Sequence, residues 1–240
     1  MEPIILRPNA IPVYGFLSQL NTHDNQQGKI LDCGAGGPVP PLALFAQHGY
    51  ACWGIDISAE QLSQASHFCQ EHQLAINLQP GDMRALPFED GFFDHVYEHY
   101  AMCHLNKKDT LKTIQEMYRV TKSGGFCFLG MISAETWPRS MFGEEKGPGE
   151  YWGEEGGERR MHSMFTQEEA DQLVADWEVV KKEKQVHYFQ SSDHKASPEE
   201  WMARLQEIDT GPSRDEWEAM YEENAGAFQY HHLYYTLRKS

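Results

Sequence analysis

Short apolar runs alternate with amphipathic stretches through the first half of the chain. Lys29–Cys33, Ala51–Ile55, Ile76–Gln79, Phe93–Tyr97 and Phe126–Met131 are each brief, apolar and bounded by turn residues, as strands are. Between them, Pro40–His48 reads as a helix whose prolines fall in the first turn, where no N–H is needed. Ser58-Ala-Glu-Gln61 has the capping-box spacing and opens a helix with Leu62, Ala65 and Cys69 on one face. Lys108–Val120 aligns Leu111, Ile114 and Tyr118, and Gly124 and Gly125 are expected to end that helix. Strands alternating with helices predict an α/β fold, a mostly parallel sheet with helices on both faces.

The pattern changes after the fifth run. Residues from about 134 to 163 are rich in Gly, Glu and aromatics and show no period, so they are expected to form a structureless lid or mobile loop. Thr166-Gln-Glu-Glu169, Ser197-Pro-Glu-Glu200 and Ser213-Arg-Asp-Glu216 each signal a helix start. Glu178–Phe189 and His231–Leu237 read as two further strands at the sheet edge, which makes seven in all. The expected organisation is a single domain over 1–240, with the lid at 134–163 and a helical and strand elaboration over 164–240.

Composition narrows the function. The 240 residues are 40% hydrophobic and 12% aromatic, enough for a core. No apolar run approaches the roughly 20 residues of a membrane helix, and "MEPIILRPNAIPVYGFL" has no basic segment followed by a long apolar one, so neither a membrane span nor a signal peptide is expected. The five cysteines lack metal spacing and read as reduced, buried thiols, so a cytoplasmic protein without a metal site is expected. A formal net charge of −16 repels phosphate backbones, which argues against nucleic acid as a partner. Oligomeric state leaves no mark on the sequence.

Ligands of alternating open sheets sit beyond the carboxyl ends of the strands, so the residues there matter most. Asp32 ends the first strand, Gly34-Ala-Gly36-Gly37 follows, and Asp56 ends the second strand. A dinucleotide fingerprint, G-x-G-x-x-G, fails because Val39 stands at the third glycine. A carboxylate at Asp32 would repel a pyrophosphate but attract an ammonium group.

The segments "LDCGAGG", "GIDIS", "GDMRALPFEDGFFDHVYEHYAMCHL" and "YRVTKSGGFCFLG", in that order, resemble the motif series of class I S-adenosylmethionine (SAM)-dependent methyltransferases. The resemblance covers about Lys29 to Met131. It is nearest to small-molecule enzymes of the ubiquinone/menaquinone type and to "type 11" domains. It implies a Rossmann-like, doubly wound fold, SAM as cofactor, S-adenosylhomocysteine as product and a small-molecule acceptor. It also implies roles. Asp32 would reach the methionine amino group, and Gly34, Ala35 and Gly36 would let the backbone approach the cofactor. Asp56 would accept from the ribose hydroxyls, and Ile57 would pack on adenine. Asp82 would accept from the adenine amino group beside the Met83 N–H, and Glu98 and His99 would line the methionine end. One departure is Pro38, where the family usually has a third glycine.

Bland roles stay open beside these: a turn cap for Asp32, a helix cap for Asp56, a turn acid for Asp82, and ordinary strand-end positions for Glu98 and His99. Methyl transfer is an in-line displacement that needs alignment and exclusion of water, with at most one base. Candidates for that base are His99, Tyr100 and His162. His162 follows Arg159 and Arg160, which either grip an anionic acceptor or pair with the lid's own glutamates. Two other functions stay in view: SAM binding without catalysis, and a nicotinamide-dependent oxidoreductase of similar architecture.

Overall fold

A computed structural model describes residues 4, 6, 10–23, 28–136, 139–155, 157–189, 215 and 228–240. The predicted strands form, with bounds close to those expected: β1 (Lys29–Cys33), β2 (Ala51–Asp56), β3 (Ile76–Pro80), β4 (Phe93–Tyr97) and β5 (Thr121–Ser133). These five are mutually parallel, in the spatial order β3-β2-β1-β4-β5. The chain then adds β10 (Phe228–Arg238) antiparallel to β5, and β9 (Glu178–Phe189) antiparallel to β10. The seven expected strands are all present with a parallel centre, but they belong to a sheet of ten strands, not seven. The order reverses between β1 and β4, which opens a crevice at their carboxyl ends.

Side-chain alternation along the strands feeds two cores. On one face Leu31, Cys127, Leu129, Leu233 and Tyr235 pack with Ile114, Met117 and Val120 of α4 (Lys107–Val120) and Ala170 of α5 (Gln167–Leu173). On the other, Ile30, Phe126, Phe128 and Tyr234 pack with Val13, Phe16 and Leu20 of α1 (Ile11–His23) and with Leu42 and Phe45 of α2 (Leu42–Gln47). The sequence reading missed α1. In α3 (Ala59–Glu71) the expected Leu62, Ala65 and Cys69 are the buried residues, and the Ser58 hydroxyl accepts the Gln61 N–H at the N-terminus. Such a cap is worth about 1 kcal/mol.

Three expectations need correction. In α4 the buried stripe is Thr110, Thr113, Ile114, Met117 and Val120, while Leu111 is 40% exposed. That helix also stops at Val120 without glycine: Thr121 is already extended, and Gly124 and Gly125 lie inside β5. The lid is not structureless. It is an antiparallel meander of β6 (Glu144–Gly147), β7 (Glu150–Glu155) and β8 (Glu158–Phe165), joined to the main sheet where β8 meets β5 at Ile132–Met164 and Ser133–Phe165. Its turns are "KGPGE" and "EEGGE", recognisable hairpin signals. Its aromatics turn inward: Phe142 and Tyr151 join Cys103, Ile132 and Met164 in a small separate core. All five cysteines are buried. The expected Thr166 capping box forms at α5. The helix starts at Ser197 and Ser213 and the lid's Trp137 lie outside the described residues.

Candidate functional site

Most of the singled-out residues lie at or just beyond the carboxyl ends of β1, β2, β3 and β4, while His162 lies in β8 of the lid. The loop after β1 is fastened to the end of β2: the N–H groups of Gly34 and Ala35 both donate to Ile55 O at 2.9 Å, and Gly37 N–H donates to Gln61 O. Gly34 has a φ of +125°, and a Cβ there would lie 2.4 Å from Ala101 Cβ. At Gly36 the need is space, because a Cβ would meet Asp56 Oδ2 and Gln61 Cβ at 2.5 Å. Glycine is required at these two positions for different reasons. After Pro38 the helix starts later than the expected Pro40: α2 begins at Leu42 with Pro41 as its N-cap, and the carbonyls of Pro40 and Pro41 accept the N–H groups of Ala43 and Leu44.

The two flanking acids differ. Asp32 is 2% exposed and accepts a 2.6 Å hydrogen bond from the hydroxyl of Tyr97, its register partner on β4. Burial pushes its carboxyl up to about 8; the Tyr97 hydroxyl pulls the other way, and Glu98 and Asp56 add to the rise. Asp32 is thus protonated near neutrality, and a cation beside it would release that proton. Asp56 is half-buried and shared between two amides, Gly36 N–H to Oδ2 at 3.1 Å and Ser58 N–H to Oδ1 at 2.8 Å. Its neighbour Ile57 is 76% exposed.

Asp82 and Glu98 are engaged with the protein itself. Arg84 donates to both Asp82 oxygens and to Asp109 Oδ2 at the start of α4, which holds the Asp82 carboxyl below its ordinary range. Sequence reasoning did not find this clamp, although the D-x-R spacing in a turn was its signal. Gly81 N–H donates to Asp56 O and ties the Met83 turn to the end of β2. Glu98 is fully buried, and its Oε1 accepts the N–H groups of Ala101 and Met102 at 2.7 and 2.9 Å. Burial raises its carboxyl to about 7 against the pull of these amides.

Of the three candidate bases, His99 and Tyr100 sit together, with ring centroids 4.3 Å apart. Burial pushes the Tyr100 phenol up, which disfavours its ionisation. His162 sits apart in the lid, edge-on to His104 at 4.8 Å and to Phe142 at 5.0 Å. A run of rings bridges the two places: Tyr100 to His232 at 4.6 Å, His232 to Tyr230 at 4.5 Å, and Tyr230 to Phe142 at 5.9 Å. Burial holds His232 neutral, depressed to about 3, with His99 and His187 adding to the effect. Sequence reasoning recognised the His231–Leu237 strand but not that its alternation sends His232 and Tyr234 to the site side. In the lid Arg160 pairs with Glu158 at 3.0 Å and Arg159 lies over the Trp152 ring, so this basic spot serves the lid.

Residues 31–129 match the family model described as a methyltransferase domain. The chain is 36% identical over 98 residues to the uncharacterized methyltransferase YcgJ of Bacillus subtilis, covering 40% of this chain and 38% of that protein. It is also 36% identical over 115 residues to the malonyl-[acyl-carrier protein] O-methyltransferase of Erwinia billingiae, covering 46% and 41% respectively. The chain thus spans about two fifths of the length of these curated relatives. The fold matches the crystal structure of a SAM-dependent methyltransferase from Methanosarcina mazei with a TM-score of 0.65 at 18% identity, over 98% of this chain and 99% of that one. Over residues 31–129 this chain is thus similar to methyltransferase domains, and its fold is that of a solved SAM-dependent methyltransferase.

Proposed function

We propose that the protein transfers a methyl group from SAM to a small-molecule acceptor. The observation that carries this reading is the buried Asp32 beside the Gly34–Gly36 turn, an acid placed to receive an ammonium and unsuited to a phosphate. The residues fit the cofactor. A side chain at Gly34 or Gly36 would fill the cradle, Asp56 keeps lone pairs beyond its two amide bonds for ribose hydroxyls, and Ile57 offers an apolar face for adenine. Bound SAM supplies an electrophilic methyl on a sulfonium.

The chain's own part is alignment and exclusion of water. Asp32 would fix the methionine amino group and Asp56 the ribose, which together set the direction of the methyl. His99 and Tyr100, on the β4 side of the crevice, would border the acceptor, and His99 is the better placed of the three candidate bases to take a proton where the acceptor must lose one. The rings of Tyr100, Tyr234 and His232 stand on that side, and burial keeps His232 neutral, which suits an uncharged acceptor.

The test is release of S-adenosylhomocysteine from SAM, followed chromatographically with a panel of phenol, thiol, amine and activated-methylene acceptors. Turnover with one class supports the reading. SAM binding without product on any of them would overturn catalysis and leave a SAM-binding protein.

A further inference from the structure

Glu98 is a buried acid that the proposed transfer does not use. Its own N–H donates to Phe128 O at 3.0 Å, which anchors it where β4 leaves the sheet beside β5. Its Oε1 reaches forward over Tyr100 to the N–H groups of Ala101 and Met102, the start of a short 3₁₀ turn over Met102–His104. The spanned residue, Tyr100, has a φ of 68°. L side chains resist this left-handed conformation because Cβ crowds the carbonyl oxygen, and they keep it only where the surroundings enforce it. Gln73 is the other non-glycine residue with positive φ among those described, and it sits in the turn just after α3, an ordinary place for one.

The Tyr100 ring is held on three sides. Its hydroxyl pairs with that of Tyr234 at 3.1 Å, and the rings of His99 and His232 pack edge-on to it. Its carbonyl accepts the Cys103 thiol. The next residue, Ala101, presses on the glycine loop at Gly34. The conformation of Tyr100 therefore sets both where its ring stands and how closely the turn abuts the cofactor loop.

We propose that Glu98 is a positioning residue: by accepting the N–H groups of Ala101 and Met102, it holds Tyr100 in the left-handed conformation and fixes the Tyr100 ring as the acceptor-side wall beside the cofactor turn. What that wall faces rests on the methyltransferase reading above; the latch itself does not. Glycine adopts positive φ without strain, so a glycine at position 100 should make the latch dispensable.

A double-mutant cycle tests this. Glu98→Ala, Glu98→Gln, Tyr100→Gly and the pair Glu98→Ala/Tyr100→Gly are compared by thermal unfolding and by calorimetric titration with SAM. Glu98→Ala should lower the melting temperature and weaken SAM by about tenfold. Glu98→Gln, which keeps an oxygen for the two amides, should recover most of both. In the Tyr100→Gly background, Glu98→Ala should change SAM affinity by less than about threefold. An equal cost of Glu98→Ala in both backgrounds would overturn the latch, as would no cost in either. Should Glu98→Ala fail to fold, folding restored in the double variant supports the latch, and failure of the double variant as well overturns it. Should the wild type not bind SAM, the cofactor reading fails, and the coupling is still decided by the melting temperatures.

Discussion

Tyr97→Phe probes the chemistry at the head of the site with little change in shape. Tyr97 is fully buried, and its ring packs against Phe45 with centroids 5.0 Å apart, a contact that phenylalanine keeps. The substitution removes only the hydroxyl that donates to Asp32 at 2.6 Å. Because burial raises the Asp32 carboxyl to about 8, the folded chain holds a proton there that the unfolded chain gives up above its ordinary value of 3.8. Stability from this group is thus greatest at low pH and falls as pH rises from about 4 to about 8. At pH 5 the Tyr97 hydroxyl meets a neutral carboxyl, and its loss should cost about 1 kcal/mol. At pH 9 it meets a carboxylate, and the cost should be about 2–3 kcal/mol. Tyr97 does not itself ionise there, since burial pushes its phenol well up. Urea unfolding of wild type and variant, followed by circular dichroism at both pH values, gives the two differences, and repulsion among the other acids cancels within each. A penalty that is equal at both pH values, or larger at pH 5, would refute the assignment of Asp32 as a buried acid ionised against its environment and supported by Tyr97.

Two further outcomes follow from the same geometry. Gly36→Ala should abolish SAM binding measured by calorimetry while the far-ultraviolet circular dichroism spectrum is retained, because the added Cβ lands 2.5 Å from Asp56 Oδ2 and Gln61 Cβ; unchanged affinity would mean that the loop does not cradle the ligand. SAM titrations near pH 7 in buffers of different ionisation enthalpy should show net proton release, and affinity should rise from about pH 6 toward about pH 7.5 as Asp32 becomes easier to ionise while the ligand's amino group stays charged; heats independent of buffer would remove Asp32 from the ammonium site.

The elements legible in the sequence are those whose signal is local. β4 and β9 formed with the bounds expected, and α3 buried the three residues its period selected, because spacing and caps act within a few residues. The lid was misread because its strands are short and glutamate-rich, so that only their turns, "KGPGE" and "EEGGE", announced them. In α4 the stripe was misplaced because buried Thr110 and Thr113 carry part of the inward face, which an apolar count overlooks. The places of Asp32 near the end of β1 and Asp56 at the end of β2 were legible because each strand and the turn after it are marked locally in the sequence. The Tyr97–Asp32 bond, the Arg84 clamp to Asp109 and the rings brought by β10 arise from pairings 65, 25 and more than 130 residues apart, and no local pattern encodes them.

The central claim is that the Gly34–Gly36 turn, with its two flanking acids, holds SAM. Calorimetric titration of wild type and Asp56→Ala with SAM tests it most directly. One-to-one binding by the wild type, weakened by at least about tenfold in the variant, is the predicted result. No binding by the wild type at about 300 μM SAM, or equal affinity in the two proteins, would contradict it.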